Sequence, residues 1–436
     1  MGGRSISSLH VGLSIVATDV GGGFSIGLGG LGFTMGLSGS WLLFTGLIGA
    51  WLAAVLTVPK LKKLDMQSRY LTYPDFLKAI YGKRVATFAA LISGVGYLGF
   101  TGGQILAGAK LAAGSIFAEV TTFNPLTFSL YVIAVVILLY TVLGGLKAVI
   151  YTDTIQWIVL LSGLLLVGFP FAYIKLGGWE AMIATLPASH FSFSNISIIT
   201  LVNWACTIIP IWFIAMTLYQ RVYASPNVKE ARKAFFIAGI FEYPFMAFAG
   251  VLFGMLARIA FPGSEPEMAL PLMLTHVLPV GMSGFLLASY FSAVMSTADS
   301  CLIASSGNFT NDILSLFIKK KVSDKFLIRL SQVVTLVVGV LALLLAGTFQ
   351  SVLEIVLQAY GFMVSGLLVP TLAAYFTKKP DALAATVSML GGGGFTLTSI
   401  LIKAKLPLSL DATVFGLAIA FILFITVTYI RKSYVR

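Results

Sequence analysis

The sequence predicts an all-α polytopic membrane protein with about twelve transmembrane helices, and three observations support this fold class. Of the 436 residues, 58% are hydrophobic and only 10% are charged, whereas soluble domains contain roughly 25% charged residues. Segments of about twenty apolar residues, long enough to cross a bilayer as a helix, recur along the chain. Lysine and arginine are concentrated in alternate connecting segments, as is typical of membrane proteins.

The apolar segments define the order of the predicted spans. They cover approximately residues 8–33, 38–58, 84–115, 124–146, 152–176, 196–220, 233–260, 281–317, 325–347, 350–376, 381–402 and 411–430. A short interfacial helix near 72–81 precedes the third span. The basic segments lie around 60–69, 221–233, 319–329 and 378–379 and after 431. Because basic loops stay in the cytoplasm, we expect both termini there and the protein in the inner or plasma membrane. Lys403 and Lys405 depart from this pattern.

The net charge of +12 follows from these loops and does not indicate a nucleic-acid ligand. Cys206 and Cys301 fall inside predicted spans, where packing is a more common role than a disulfide or a metal pair. The three histidines show no metal-binding spacing. We therefore expect the chain to contact the lipid bilayer, and we expect no organic cofactor, no nucleic acid and no obligatory protein partner.

The first span contains an unusual density of glycine beside an acidic residue. Glycines 21–23 follow Asp19, and three more glycines follow by residue 30. Because glycine inside a helix costs about 1 kcal/mol relative to alanine, this run predicts a helix break at mid-membrane. At such a break, carbonyls such as those of Ala17 and Val20 become available to a cation. Close helix packing through glycine is the alternative explanation.

The sixth span carries Pro210 in its middle, and proline kinks a helix because it removes a backbone hydrogen bond. Interrupted helices at corresponding positions of two five-helix units are typical of inverted-repeat transporters with a binding site at the membrane midplane. We therefore predict a ten-helix core over residues 1–376, with one repeat over 8–176 and the other over 196–376. The last two helices, within 377–436, have few polar residues and are expected to be peripheral.

The eighth span is rich in side-chain oxygen. Ser292, Ser296 and Ser300 lie one helical turn apart and share a face, with Thr297 and Asp299 on its flanks. A carboxylate is costly in hydrocarbon, so Asp299 must face protein, water or an ion. Oxygen ligands suit a hard cation such as Na+. The alternative explanation is tight packing of small residues.

Asp153 opens the fifth span. It can stabilise the N-terminus of that helix through the helix dipole. Alternatively, it contributes a negative charge near the inner end of the oxygen-rich eighth span.

Four motifs in order over some 300 residues make the chain resemble the sodium/solute symporter family, which includes bacterial proline, sugar and sialic acid symporters. They are TDVGGGF (18–24), GGLKAVIYTDTIQ (144–156), QRVYASPNVKEARKA (220–234) and AVMSTADSCLIASS (293–306). The resemblance covers nearly the whole chain and implies the five-plus-five inverted repeat of the leucine transporter, with broken helices one and six.

The resemblance also implies site residues. The main Na+ site would use the carbonyls of Ala17, Val20 and Ala293 and the hydroxyls of Ser296 and Thr297. A second cation site, present in some members, would use Asp153, Ser296, Asp299 and Ser300. The solute would lie beside Asp19, against Phe24, Thr207, Trp212 and Gln358. Family members usually begin with one more helix, ending near a Gly-Arg-Ser segment. Gly3-Arg4-Ser5 stands at the start here, so we expect that helix to be missing.

These expectations predict a secondary active transporter in which Na+ drives uptake of a small organic solute, such as proline or a sugar, by alternating access. Proton coupling through Asp19, Asp153 or Asp299 is the first alternative. An enzyme is not expected, since the chain shows no zinc motif, no acid/base pair at catalytic spacing and no Ser/His arrangement. A sensor on the same scaffold is disfavoured, because no signalling domain is attached, whereas currents far above carrier rates would indicate a channel.

Overall fold

In the computed structural model, which describes residues 4–120, 122–143, 146–317 and 323–434, the described chain is helical and contains no strand. Its helices are α1 (Ser8–Asp19), α2 (Gly21–Met35), α3 (Trp41–Leu56), α4 (Val58–Ser68), α5 (Tyr73–Tyr81), α6 (Lys83–Ala113), α7 (Pro125–Leu143), α8 (Leu146–Ser162), α9 (Phe169–Lys175), α10 (Gly178–Thr185), α11 (Ile198–Ile211), α12 (Met216–Ala224), α13 (Val228–Ile240), α14 (Phe248–Ala260), α15 (Pro266–His276), α16 (Val280–Gly307), α17 (Asp324–Ala346), α18 (Val352–Phe376), α19 (Ala382–Leu401) and α20 (Ala412–Tyr434). Wider π-helical turns join α8 to α9 and α13 to α14, and another extends α16. Gly3, Gly144, Gly145, residues 319–321 and Arg436, which the sequence arguments used, lie outside the described residues.

Eleven segments of the described chain are long and apolar enough to cross a membrane. The first, Gly23–Leu56, contains a turn at Gly36, whose φ of +65° separates α2 from α3. When α1 and α2 count as one interrupted crossing and α3 as the next, the described residues make twelve crossings. The predicted all-α, twelve-helix fold class is therefore confirmed.

Both predicted helix breaks are present. Only Val20 lies between α1 and α2, and Gly21, the first residue of α2, has a φ of +46°. A Cβ atom at this position would lie 2.1 Å from the Thr297 hydroxyl oxygen, so both the backbone conformation and the close contact require glycine. Residues 212–215 separate α11 from α12, and Ala215 is extended (φ −65°, ψ 119°). Pro210, just before this break, has no N–H to donate to the carbonyl four residues earlier, which weakens the end of α11.

The oxygen-rich helix α16 occupies a central position. It packs along α6 and α8 and also contacts α1, α2 and α12. The last two helices, α19 and α20, pack on each other and on α18, with smaller contacts to α6 and α11. The interior of the bundle therefore brings α16 against the broken first helix.

Three helices appear in connections where none was predicted, namely α4, α10 and α15, and the interfacial helix near 72–81 is present as α5. The connecting helix α15 lies against α2, α6 and α14. Its Glu267 carboxylate accepts hydrogen bonds from Lys110 Nζ of α6 (2.7 Å) and from Ser351 Oγ (2.8 Å) and the Val352 backbone N–H (2.9 Å) at the start of α18. One carboxylate thus links three separate elements.

Candidate functional site

The break in the first helix faces the hydroxyl side of α16. Thr297 Oγ1 donates to the Ala17 carbonyl of α1 at 2.8 Å and to the Ala293 carbonyl of its own helix at 3.1 Å. Thr297 is fully buried, and Ala17 and Ala293 are almost so. The structure therefore brings the C-terminal end of α1, next to the break, into direct contact with the middle of the oxygen-rich helix.

A small cavity of about 10 Å³ lies at this contact, roughly the size of one water molecule or a small ion. It is lined by Ala17, Gly21, Gln156, Trp157, Leu160, Ala293 and Ser296. Gln156 Oε1 and Trp157 Nε1 are buried and have no hydrogen-bond partner among the described residues. The residues around the cavity carry carbonyl, hydroxyl and amide oxygens, the ligand types that suit an alkali cation, although the cavity surface itself is mostly apolar.

Three of the five predicted Na+ ligands, Ala17, Ala293 and Ser296, line this cavity, and Thr297 lies beside it, bonded to the Ala17 and Ala293 carbonyls. Val20 is buried but does not line the cavity, and its carbonyl accepts the backbone N–H of Phe24 at 3.1 Å. Gln156 lines the cavity and was not predicted. Its place in a family-like motif, three residues after Asp153, was the only sequence signal that could have identified it.

Asp153 is fully buried and hydrogen-bonded on several sides. Its carboxylate accepts from Ser14 Oγ of α1 (2.7 Å) and from Ser296 Oγ of α16. It also forms an ion pair with Arg221 Nη2 at 3.3 Å. This carboxylate is therefore already matched by a positive charge from the chain itself.

Arg221 corrects an interpretation of the sequence, which counted it among the basic residues of a cytoplasmic loop. It lies within α12 and is 1% exposed. Its guanidinium donates to Thr18 Oγ1 (2.5 Å), Ser300 Oγ (3.2 Å) and Ser14 Oγ (3.3 Å). A buried carboxylate favours a buried counter-charge, and charge patterning along the chain cannot reveal which basic residue supplies it.

The residues proposed for a second cation are divided between two networks. Arg221 connects Asp153 and Ser300, and Ser296 donates to Asp153. Asp299 instead accepts a hydrogen bond from Thr141 Oγ1 of α7. Asp299 and Asp153 are thus held by different helices in this conformation, and a guanidinium lies between Asp153 and Ser300.

Two of the predicted solute residues share an aromatic cluster. Asp19 accepts a hydrogen bond from the Tyr360 hydroxyl at 2.9 Å. The Tyr360 ring stacks on Phe100 with centroids 4.8 Å apart, and the Phe24 ring lies 6.1 Å from Tyr360. Phe100 and Tyr360 were not predicted, because an aromatic residue in an apolar span gives no sign of which neighbour it faces.

The other three predicted solute residues lie elsewhere. Thr207 and Trp212 are buried on and after α11, and the Trp212 ring contacts Phe235 at 5.8 Å. Gln358 donates from Nε2 to Glu354 at 3.0 Å. It lines a separate cleft of about 900 Å³ together with residues of α19, α20 and their connection. The predicted set therefore does not form one cavity in this structure.

Comparison with known proteins gives a consistent result. The family described as Sodium:solute symporter family matches residues 1–392. The high-affinity proline transporter PutP of Bacillus subtilis (strain 168) is 27% identical over 409 residues, covering 90% of this chain and 84% of that protein. Sodium/glucose cotransporter 1 of Oryctolagus cuniculus is 26% identical over 426 residues, covering 86% of this chain and 62% of that protein.

Two solved structures have similar folds. A substrate-bound, outward-open Na+-coupled sialic acid symporter has a TM-score of 0.77 at 19% identity, covering 97% of this chain and 89% of that one. Mhp1, a nucleobase-cation-symport-1 family transporter in a closed conformation, has a TM-score of 0.61 at 14% identity, covering 99% and 94% of the two chains. At these identities the similarity concerns the fold.

Proposed function

Because the chain belongs to the sodium:solute symporter family, we propose that this multi-pass membrane protein uses Na+ entry to drive uptake of a small organic solute by alternating access. The observation that carries the proposal is the contact between the broken first helix and the hydroxyl-bearing face of α16, where Thr297 donates to the Ala17 carbonyl beside a small cavity. Its relatives include transporters named for proline and for glucose, so a small polar metabolite is the proposed solute class.

We place the coupling ion in that cavity, with Ala17, Ala293, Ser296 and Thr297 as ligands and Gln156 as an added candidate. Val20, the remaining ligand expected from the family resemblance, would bind through the second lone pair of its carbonyl. An ion held this way ties α1 to α16, so it favours the conformation in which the solute site is formed. By linkage, the solute and Na+ then raise each other's affinity by the same factor.

A second cation at Asp153, Asp299 and Ser300 requires the Arg221 guanidinium to move away, because it now contacts both Asp153 and Ser300.

The solute is placed beside Asp19 and Phe24, where the Tyr360 hydroxyl and the Phe100 ring add a polar contact and an apolar wall. Thr207, Trp212 and Gln358 would join the solute site only after helix movements. The two-repeat core over residues 1–376, the peripheral pair over 377–436, the cell membrane and cytoplasmic termini belong to the same proposal.

The test is transport by the purified protein in proteoliposomes. Radiolabelled proline and glucose are offered with an inward Na+ gradient, with an equal K+ gradient, and with a pH gradient without Na+. A Na+ titration of the melting temperature, run beside K+, reports ion binding without knowledge of the solute, because a ligand stabilises the form that it binds. Stabilisation and uptake that require Na+ support the proposal. Uptake driven equally by the pH gradient alone would favour proton coupling.

A further inference from the structure

Glu242 is an acidic residue that the transport mechanism above does not use. It lies in the π-helical segment Phe241–Ala247 between α13 and α14 and is 0% exposed. Neither of its carboxyl oxygens has a hydrogen-bond partner among the residues that the structure describes. Wide helical turns of this kind are rare and are often found at functional sites. The residue therefore requires an explanation beyond packing.

The surroundings of Glu242 are shaped to hold this side chain. A Cβ atom at Gly46 of α3 would lie 1.9 Å from Glu242 Oε1, so the carboxyl group packs directly against the glycine backbone of α3. Gly49, one turn further along α3, packs against Trp212 in the same way, since its Cβ would lie 2.4 Å from the indole Cδ1. Trp212 is 2% exposed, and its Nε1–H also has no partner within the described chain. An acceptor and a donor without partners thus lie along one face of α3.

The local charge is negative. None of the six ion pairs found among the described residues includes Glu242 or Asp19. The helix α1, which carries Asp19, contacts this segment, and α3, which packs against it, contains no charged residue. A bare carboxylate in the membrane interior is strongly disfavoured. A neutral carboxylic acid would still leave its hydroxyl group without a partner. A bound cationic donor would satisfy the carboxylate form, because it supplies a hydrogen bond and also offsets the charge.

We propose that, in the conformation in which Trp212 has joined the solute site, Glu242 binds the solute directly and the solute carries a protonated amine, with Trp212 Nε1 donating to an acceptor on the same molecule. This inference rests on the proposed transport function and narrows its solute class. An amine fits better than a metal ion, because a metal ion needs several oxygen ligands and Glu242 supplies the oxygens of one side chain. An amine also fits better than a sugar. Glu242 and Asp19 have no basic partner among the described residues, and two such acidic groups favour a positively charged ligand.

The experiment compares amines with their uncharged derivatives. The purified protein in saturating Na+ is melted with L-proline, the other L-amino acids and small alkylamines, each beside its N-acetyl form, and with D-glucose. We expect at least one amine to raise the melting temperature, with its N-acetyl form binding at least about tenfold more weakly. Glu242→Gln keeps the shape of the side chain and should lower the affinity for that amine about tenfold or more. The exposed Glu180 on α10 supplies the control, Glu180→Gln, which should bind the amine as wild type does.

Two further measurements separate the possible outcomes. Both are made in Na+ without solute. The melting temperature of Glu242→Gln reports whether the variant folds, and its Na+ half-saturation reports whether the ion site is intact. Both values should stay close to those of wild type. Trp212→Phe keeps the ring packing, removes the indole donor and should also weaken amine binding. The inference of an amine solute is wrong if no amine stabilises the protein more than its N-acetyl form, or if Glu242→Gln binds the amine as wild type does. Neither result would contradict Na+-driven transport. If Na+ neither stabilises the protein nor drives uptake, the proposed function itself fails. If wild type shows proton-driven uptake and Glu242→Gln does not, this carboxyl group carries the coupling proton, and the inference of an amine solute is wrong.

Discussion

Replacing Thr297 by valine is the most direct test of the ion site, because the change removes one hydroxyl and preserves the shape of the side chain. That hydroxyl is buried, donates to Ala17 at 2.8 Å and belongs to the ligand set proposed for Na+. A hydrogen bond to a charged group contributes about 1.5–3 kcal/mol, and we take one ligand oxygen to contribute similarly. At 1.4 kcal/mol per factor of ten, Na+ affinity should fall roughly tenfold to a hundredfold.

The assay is a Na+ titration of thermal stability in detergent, repeated as Na+-dependent uptake in proteoliposomes. Thr335→Val is the matched control, since Thr335 is also a buried threonine in a span and bonds only within its own helix, to the Ser331 carbonyl at 2.8 Å. The control should keep its Na+ half-saturation within about twofold. Equal Na+ half-saturation in Thr297→Val, Thr335→Val and wild type would refute the placement of the ion between α1 and α16.

Three further predictions test the surrounding structure. Gly21→Ala should lower the melting temperature more than Gly178→Ala; both residues have positive φ (+46° and +64°), a cost of about 1–2 kcal/mol for alanine, but only at Gly21 would the new Cβ overlap α16. Arg221→Gln should destabilise the protein by about 3–5 kcal/mol because it leaves the buried Asp153 carboxylate without its partner, and adding Asp153→Asn should recover part of that loss in chemical denaturation. Burial lowers the pKa of the His190 imidazole, so its neutral form is favoured in the fold and stability should fall as pH drops below about 6.5. Between about pH 7.5 and pH 5, the melting temperature of His190→Gln should therefore fall less than that of wild type. An unchanged pH dependence in this variant would contradict the role assigned to His190.

The features predicted well from the sequence are those that neighbouring residues determine. Twelve crossings follow from apolar length, and the two breaks follow from glycines 21–23 and Pro210, whose backbone restrictions act locally. The contact between α1 and α16 was inferred from two oxygen-rich segments that each needed a polar partner. Such arguments do not depend on knowing which helices are neighbours.

The predictions that missed concern side chains whose partners lie far away in the chain. Arg221 resembles any basic loop residue until Asp153 is seen beside it, 68 positions earlier. Gln358 and Tyr360 lie on one helix, yet one lines an outer cleft and the other contacts Asp19. Periodicity places residues on a helix face, but it does not say which helix that face meets. The shift in register at the π-helical turn containing Glu242 is likewise invisible in hydropathy.

The Glu267 carboxylate has a mechanical consequence. It is held by Lys110 on α6 and by Ser351 and Val352 at the start of α18. These hydrogen bonds share one acceptor group. Moving α15 away would therefore leave the Lys110 ammonium group and the N-terminus of α18 without this partner at the same time. Separation at this point is therefore an all-or-none event. A rocking motion of the bundle would meet a discrete threshold here rather than a gradual resistance.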